Sequence, residues 1–281
     1  MIKTVAILGA GTMGHGIAHA AMAGGLTTRL FDVSSGQLDK ARAEIETIVG
    51  KSVELGKLPA AEAAGMMSRL STTTTLADAV AGAEFVIEAV PERVDLKLAL
   101  LSALEPLVGD DVVIGSNTSA LSITELATAL SRPGRLAGMH FFNPVHKMKL
   151  VEIVRALESS PAAIETIEAV ARRMGKETVL VRESAGFITS RVNALVGNEA
   201  FYMLQEGVAS ARDIDKALKL GLNHPMGPFE LVDLVGLDTR LSVLEYLHKS
   251  LGEKYRPCPL LVQHVKAGRL GRKVGKGVYD Y

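Results

Sequence analysis

The fold of this chain is decided by residues 3–14, which read KTVAILGAGTMG. Lys3–Leu8 is an apolar run typical of a buried strand, and Thr12–Ala23 continues with helical periodicity. In the glycine turn between them, the first glycine permits a tight bend, the second lets the backbone approach a pyrophosphate, and the third allows the helix to pack closely on the strand. Phosphate charge then meets free N–H groups at the positive end of a helix. The pattern predicts a dinucleotide site, with a merely structural glycine turn as the alternative. The predicted cofactor contacts here are Gly9, Gly11, Thr12, Met13 and Gly14.

A carboxylate follows at the end of the second predicted strand, Thr27–Asp32. At this place Asp32 can accept hydrogen bonds from the ribose hydroxyls of an adenosine. It would repel a 2′-phosphate, and residues 33–35, Val-Ser-Ser, provide no arginine to receive one. We therefore expect NAD rather than NADP. Arg29, inside the strand, leaves NADP as the alternative.

Strand patterns alternate with helical patterns up to about Val181, which is typical of a parallel sheet with crossover helices. The predicted strands are Lys3–Leu8, Thr27–Asp32, Ser71–Thr74, Phe85–Ala89, Val112–Ser116, Leu136–Phe142, Leu150–Val154 and Thr178–Val181. The predicted helices among them are Thr12–Ala23, Ser35–Leu55, Leu96–Leu107, Ile123–Leu130 and Ala162–Met174. From Ala185 onward the sequence predicts only helix and turn, with breaks at Gly207, Gly221–Pro228 and Arg256–Pro259. We therefore predict an α/β domain over residues 1–184, with a Rossmann-type doubly wound and mostly parallel sheet, and an all-helical domain over residues 185–281.

The composition argues against several classes of protein. With 281 residues, 48% of them hydrophobic, the chain can form two compact domains. Its 31 basic residues balance 31 acidic ones, so no overall field attracts nucleic acid or an anionic membrane. The single Cys258 permits no internal disulfide and no cysteine metal cluster, which favours a reducing cytoplasm. The N-terminal apolar run is too short for a membrane span, and we expect no targeting segment.

A candidate catalytic pair lies in residues 138–154. The segments GMHFFNP at 138–144 and KLVEIV at 149–154 are typical of short apolar strands joined by turn residues. If they fold back on each other about His146, His140 and Glu152 face each other across the strand pair. An imidazole titrates near neutral pH, and a carboxylate on its far nitrogen fixes the tautomer and favours the imidazolium. The pattern predicts a general base with an orienting carboxylate. The alternative is a buried histidine beside an unrelated exposed glutamate.

Taken together, these features resemble the L-3-hydroxyacyl-CoA dehydrogenase family, and most closely its short bacterial members that act on 3-hydroxybutyryl-CoA. The resemblance covers essentially all 281 residues. Its motifs are GAGTMGHGIA at 9–18, SNTSALSIT at 116–124, HFFNP at 140–144, MKLVEIV at 148–154, PMGPFEL at 225–231 and GRKVGKGVYDY at 271–281. The resemblance implies a homodimer whose helical C-terminal domain forms the subunit contact and also completes a cleft for an acyl-CoA.

The resemblance also implies a reaction, the reversible transfer of hydride between NAD and the β-carbon of an (S)-3-hydroxyacyl-CoA. His140 matches the catalytic general base and acid, and Glu152 matches the glutamate behind it. Ser119 matches a serine that touches both substrate and nicotinamide, although the residues alone favour Ser119 as a cap of the following helix. No metal is expected.

Further residues match cofactor contacts of the family, namely Glu92, Lys97, Asn143 and Lys273. Each has a simpler reading from the sequence alone: a solvated helix start for the first two, a turn residue for the third and an exposed basic tail for the fourth. Lys51 and Lys57 are candidates for contacts with CoA phosphates, with solvated helix charges as the alternative.

One position departs from the family. Where the family has an asparagine that contacts the substrate, this chain has Ser190, and Ala185 replaces a proline that usually precedes the glycine. A serine hydroxyl can still donate a hydrogen bond but is shorter, so the substrate must lie closer or a water must intervene. Asn193, about one helical turn further on, is a possible substitute. The departure affects the expected acyl-chain preference and leaves the reaction class unchanged.

Two other functions remain open at this point. A dehydrogenase of the same superfamily could act on a free hydroxy acid or sugar acid, which would require no CoA channel. A cofactor-binding structural or regulatory protein could retain the fold without turnover, but His140, Glu152 and Ser119 are all present and argue against it.

Overall fold

The computed structural model describes residues 2–281, and the chain forms two compact units. The first ends at Glu183 and the second begins at Ser184. The first unit is an open sheet with helices, and the second is built from helices joined by short connections.

The sheet of the first unit has eight strands within the described residues. The strands are β1 (Thr4–Leu8), β2 (Thr27–Phe31), β3 (Leu70–Thr73), β4 (Phe85–Glu88), β5 (Val113–Ser116), β6 (Leu136–Phe141), β7 (Leu150–Arg155) and β8 (Glu177–Arg182). Their order across the sheet is β3-β2-β1-β4-β5-β6-β7-β8. Neighbouring strands are parallel except β6 and β7, which are antiparallel. The eight predicted strands are thus confirmed, each within one residue of its predicted bounds, and so is the mostly parallel Rossmann-type sheet.

The central strands are continuous apolar runs because both of their faces are covered. Val5–Leu8 of β1 and Phe85–Ile87 of β4 have no exposed surface. The helices of this unit are α1 (Thr12–Ala23), α2 (Ser35–Glu54), α3 (Ala60–Met67), α4 (Leu76–Val80), α5 (Val94–Leu104), α6 (Ile123–Ala127) and α7 (Pro161–Arg173). The sequence did not predict α3 and α4. Only five residues form α4, and α3 is half alanine, so neither carries a periodicity that a sequence window can detect.

The second unit is helical, as predicted. Its helices are α8 (Thr189–Gln205), α9 (Ala211–Gly221), α10 (Pro228–Val235), α11 (Leu237–Leu251) and α12 (Pro259–Lys266). They enclose a separate apolar core, in which the rings of Phe201 and Phe229 pack edge to face with centroids 5.2 Å apart. The sequence predicted only helix and turn for residues 271–281, the C-terminal tail. The structure differs there, because Lys276 forms isolated β-bridges with Gly271 and Asp280. No helix among residues 2–281 is both long enough and apolar enough to cross a bilayer.

In the first unit, α1 packs against the turn between β6 and β7. A Cβ atom on Gly16 would lie 2.9 Å from Cβ of Val145, so the contact requires glycine. One turn further along α1, the ring of His19 meets the ring of His146 edge to face, with centroids 6.1 Å apart. Nδ1 of His19 is buried, and no atom of residues 2–281 forms a hydrogen bond with it. Burial, with smaller repulsion from nearby basic side chains, lowers the pKa of His19 from 6.5 to about 4.

We expect His19 to make the fold sensitive to acid. As pH falls from about 6.5 to about 4, the unfolded chain binds a proton at His19 that the native protein does not, so stability decreases. From pH 7 to pH 5 this contribution is about 2 kcal/mol. Urea unfolding at both pH values measures it. His19→Gln and His19→Leu, which differ in polarity and packing but cannot titrate, are both expected to lose that part of the pH dependence. If both variants keep the wild-type difference, His19 is not its source.

Candidate active site

A cavity of about 430 Å³ lies at the carboxyl ends of β1, β2, β4 and β5. Ligands bind at this edge of open α/β sheets, where the strand order reverses. We call it the dinucleotide cavity. Its lining residues are Gly9, Gly11, Thr12, Met13, Asp32, Gln37, Ala89, Val90, Pro91, Glu92, Asn117 and Ser119. The structure therefore brings together most of the predicted cofactor contacts of the first unit.

The glycine turn at the end of β1 fits a pyrophosphate. Gly9 has φ +105°, and a Cβ there would lie 2.6 Å from the carbonyl oxygen of Ala89. A Cβ on Gly14 would lie 1.8 Å from the carbonyl oxygen of Gly9, so close packing of α1 on the turn also requires glycine. At Gly11 a Cβ would meet nothing within 4 Å, and this residue faces the cavity. The backbone at the start of α1 is thus open to a phosphate group, whose charge the helix N-terminus favours.

Asp32 is held in a defined orientation at the cavity wall. Its Oδ2 accepts a hydrogen bond from the Ala10 amide at 2.9 Å, and its Oδ1 accepts one from the Ser34 amide at 3.0 Å. Gln37, which sequence reasoning missed, also lines the cavity and donates to the Ala10 carbonyl at 2.9 Å. Arg29 donates to the carbonyl of Ala81 and is not among the lining residues.

A buried ion pair lies next to the dinucleotide cavity. Lys97 Nζ is 2.6 Å from Glu88 Oε1, and both side chains are completely buried. Glu88 also accepts hydrogen bonds from the Ser116 hydroxyl at 2.5 Å and the Val90 amide at 2.8 Å. Burial raises the pKa of Glu88, and these bonds together with Lys97 oppose that rise. The reading of Lys97 as part of a solvated helix start is wrong.

Lys97 also contacts residues that line the dinucleotide cavity. Its ammonium group lies 3.4 Å from the carbonyl oxygens of Val90 and Asn117, and 3.6 Å from Glu92 Oε2. Lys97 thus ties together the segments after β4 and β5 that line the cavity. Sequence reasoning missed Glu88 and Ser116, because each looks like an ordinary strand end.

Glu92 holds the loop that carries Ser119. Its Oε1 accepts hydrogen bonds from the Thr118 hydroxyl at 2.6 Å, the Ser119 amide at 2.8 Å and the Ala120 amide at 3.2 Å. Ser119 does not cap the helix that follows. That cap is Ser122, whose hydroxyl accepts from the Glu125 amide at 3.1 Å. Ser119 is exposed and lines the cavity.

The predicted alignment of His140 with Glu152 is confirmed. The two residues are directly opposed in the antiparallel ladder of β6 and β7, and His140 Nδ1 lies 2.7 Å from Glu152 Oε2. His140 is 5% exposed and Glu152 is not exposed at all, so the alternative of an unrelated exposed glutamate is wrong. Asn117, another residue that sequence reasoning missed, joins this pair to the cavity. Its Oδ1 accepts from the Phe141 amide at 3.0 Å while the residue lines the cavity wall.

The remaining predicted residues are not part of the cavity lining. Asn143 is exposed in the turn after β6. In the second unit, Lys273 Nζ lies 2.6 Å from both carboxylate oxygens of Asp238. Ser190 is the second residue of α8, and the N-cap position belongs to Ile188, so Ser190 is not the helix cap.

The fold and the site define a Rossmann-type oxidoreductase that binds NAD(H). Residues 4–184 match the NAD binding domain of 3-hydroxyacyl-CoA dehydrogenase, and residues 186–281 match its C-terminal domain. The chain therefore belongs to the 3-hydroxyacyl-CoA dehydrogenase family, as its motifs indicated.

Individual relatives align over nearly their whole length. A probable 3-hydroxybutyryl-CoA dehydrogenase of Bacillus subtilis is 43% identical over 281 residues, which cover 100% of this chain and 98% of that protein. A 3-hydroxybutyryl-CoA dehydrogenase of Bradyrhizobium diazoefficiens is 40% identical, with 100% and 96% covered. The crystal structure of the (S)-3-hydroxybutyryl-CoA dehydrogenase PaaH1 from Ralstonia eutropha has a TM-score of 0.97 at 43% identity, with 100% and 99% covered.

The contacts of Glu92 predict that it orders the Ser119 loop before any ligand binds. In Glu92→Ala the amides of Ser119 and Ala120 lose a charged acceptor, so their hydrogen exchange in the ligand-free protein is expected to become at least about tenfold faster. Glu125→Ala, the same change on the exposed face of the neighbouring helix α6, is the control and is expected to leave both amides unchanged. Unaltered exchange in Glu92→Ala would mean that the loop is ordered by other contacts.

Proposed function

We propose that this protein reversibly oxidises (S)-3-hydroxybutyryl-CoA to acetoacetyl-CoA with NAD. The observation that carries the proposal is the buried His140–Glu152 pair, joined through Asn117 to the dinucleotide cavity of the same unit. The names of the aligned relatives support the choice of substrate. A free hydroxy acid remains the rival substrate class, and no observation favours it.

His140 is the proposed general base and acid. In oxidation its Nε2 accepts the proton of the substrate hydroxyl, and in reduction the same atom returns that proton to the keto oxygen. Glu152, 2.7 Å from Nδ1, keeps that nitrogen protonated and stabilises the imidazolium formed when Nε2 takes the proton. Because both groups are buried, little water screens this interaction. When bound, the nicotinamide ring supplies the acceptor or donor of hydride.

Substrate binding is assigned to two serines. Ser119, held by Glu92 at the cavity wall, would donate a hydrogen bond that aligns the reacting oxygen with His140 and the nicotinamide. Ser190, at the start of α8, would take the place of the family asparagine as a shorter donor to the substrate. Lys51 and Lys57 are proposed to contact the phosphates of CoA.

The cofactor is proposed to be NAD rather than NADP. Glycines 9, 11 and 14 with Thr12 and Met13 would hold the pyrophosphate, and Asp32 would bind the adenosine ribose. Further cofactor contacts are assigned to Glu92, Ser119, Asn143, Lys97 and Lys273. Lys97 is completely buried in its ion pair with Glu88, so its action on the cofactor runs through Glu92 and Asn117.

Loss of the base is expected to abolish turnover without loss of the cofactor. His140→Ala removes the proton acceptor and leaves the glycine turn intact, so kcat for reduction of acetoacetyl-CoA should fall by at least about 100-fold while the Kd for NADH stays within about twofold. Steady-state assays and NADH titration measure the two quantities. Glu152→Gln should also lower kcat and change the pH–rate profile, because the imidazolium loses its counter-charge.

The controls separate chemistry from folding. His248→Ala, the same change at a half-buried histidine on α11, should leave kcat unchanged. Longer 3-ketoacyl-CoAs and free acetoacetate, assayed beside acetoacetyl-CoA, test the substrate class. Full kcat in folded His140→Ala, or faster turnover of the free acid than of the thioester, would overturn the proposal.

Asp32→Ala should weaken selection of NAD over NADP. The change removes acceptors for the ribose hydroxyls together with a charge that repels a 2′-phosphate. The ratio of kcat/KM with NADH to kcat/KM with NADPH is expected to fall at least about tenfold, mainly because KM for NADH rises. Asp39→Ala, on the exposed side of α2, is the control. A wild type that already prefers NADPH would contradict the role given to Asp32.

We further propose that two copies associate through the second unit. Several apolar side chains of its α8 and α10 are exposed, including Val192 at 56% and Leu234 at 50%. Arg240 of α11 lies beside Gly197 of α8 and is 4% exposed, and within residues 2–281 it forms no ion pair and its buried Nε has no hydrogen-bond partner. A buried unpaired charge is costly, and a carboxylate from a second copy would neutralise it. Sedimentation velocity tests this association, because a monomer at micromolar concentration would exclude the dimer.

A cytoplasmic location is also proposed. It rests on the single free Cys258, because proteins of oxidising compartments commonly carry disulfides.

A further inference from the structure

A second large cavity lies within the helical unit, formed by residues that the proposed reaction does not use. Its volume is about 490 Å³, and we call it the tail cavity because the C-terminal tail forms part of its wall. Its lining residues are Arg212, Asp215, Lys219, Glu230, Arg272, Tyr279, Asp280 and Tyr281. Apolar side chains dominate most small-molecule sites of this size, whereas charged groups and tyrosines line this one.

Two buried carboxylates hold the tail in place. Asp233 accepts hydrogen bonds from the amides of Val278 at 2.8 Å and Tyr279 at 2.9 Å, and from the Tyr281 hydroxyl at 2.9 Å. Asp215 accepts from the Tyr279 hydroxyl at 2.7 Å and caps the start of α10 through the Phe229 amide at 2.8 Å. The two tyrosine rings are therefore fixed parts of the cavity wall.

An arginine packs over each of the two tyrosine rings. The guanidinium carbon of Arg212 lies 5.9 Å from the centroid of Tyr279, and that of Arg272 lies 5.1 Å from the centroid of Tyr281. Stacking on a rigid ring orients a guanidinium plane and leaves its edge N–H groups available for hydrogen bonds. Two oriented cations thus line one cavity.

The carboxylates of the cavity have partners, whereas neither arginine forms a salt bridge with a carboxylate of residues 2–281. Glu230 pairs with Lys219 at 2.7 Å, Asp280 lies 3.7 Å from Lys276, and Asp215 accepts hydrogen bonds from the Tyr279 hydroxyl and the Phe229 amide. Within the described residues, neither Arg212 nor Arg272 forms a salt bridge, and Arg272 interacts with the Tyr281 hydroxyl. Arg212 on α9 and Arg272 in the tail are both exposed and line the cavity, so an incoming anion would not have to break a salt bridge to reach them.

We propose that the tail cavity is a binding site for a ligand that carries a diphosphate group. Two guanidinium groups that lack a carboxylate partner in the described chain line one cavity, and the arginine fork binds phosphate oxygens in a bidentate manner. The volume is larger than a single phosphate needs and leaves room for an attached organic group. Free pyrophosphate and a nucleoside diphosphate share this chemistry, and the experiment distinguishes them.

Isothermal titration of the full-length protein with inorganic pyrophosphate, and separately with ADP, tests the proposal. Wild type is expected to show a binding component that Arg212→Gln and Arg272→Gln each weaken about 10- to 100-fold, as for one lost charge-assisted contact. Arg256→Gln, the same change at an arginine of this unit that pairs with Glu253, is the control and should leave that component unchanged. Tighter binding of ADP than of pyrophosphate would identify a nucleotide site, and the reverse order would identify a site for free pyrophosphate.

The dinucleotide cavity can also bind ADP, so the two sites must be separated. Asp32→Ala is expected to weaken only the ADP component of that cavity, and the arginine variants only the component of the tail cavity. Melting temperatures without ligand show whether Arg272→Gln disturbs the tail, and Arg212→Gln on α9 provides an independent test. The proposal is overturned if both arginine variants bind like wild type, or if succinate, a dicarboxylate, binds as tightly as pyrophosphate. These binding measurements do not require the protein to turn over a substrate.

Discussion

The buried ion pair between Lys97 and Glu88 is the interaction on which the candidate site depends. Neither side chain reaches solvent, so the loss of either would leave an uncompensated charge in the interior, at a cost of about 3–5 kcal/mol. Through Lys97 the pair also contacts the carbonyls of Val90 and Asn117 and the carboxylate of Glu92. These segments line the dinucleotide cavity and carry Ser119. The order of the cavity wall therefore rests on one buried electrostatic contact.

The reversal of strand direction at β6 and β7 is the second constraint. In an otherwise parallel sheet, this antiparallel pair places His140 and Glu152 directly opposite each other, with both side chains buried. A register shift of one residue would turn one of the two side chains to the other face of the sheet. The hydrogen bond from the Phe141 amide to Asn117 then holds this ladder beside the cavity. A proton-transfer pair and a cofactor cavity thus become neighbours through backbone geometry.

In the second unit, two buried aspartates have several hydrogen-bond donors, whereas three arginines have no carboxylate partner in the described part of the chain. Asp215 and Asp233 are buried, and each is satisfied by several donors from the tail or from α10. Arg240, Arg212 and Arg272 form no salt bridge within residues 2–281. The buried Arg240 lacks, among these residues, the counter-charge that a buried cation needs, and the exposed Arg212 and Arg272 are accessible to an anion from solution. For the buried Arg240 we assign a second copy, and for the two arginines of the tail cavity we assign a phosphorylated ligand.

The sequence by itself determined what depends on near neighbours along the chain. The strands, the glycine turn and the pairing of His140 with Glu152 follow from local hydrophobic patterns and from a short turn, which specify direction and register. Only the tertiary structure decided that Lys97 is buried, that Glu92 holds the Ser119 amide, and that Asn117 joins the histidine to the cavity. Those outcomes depend on partners far apart in sequence, whose burial and hydrogen bonds arise only when separate strands are brought together.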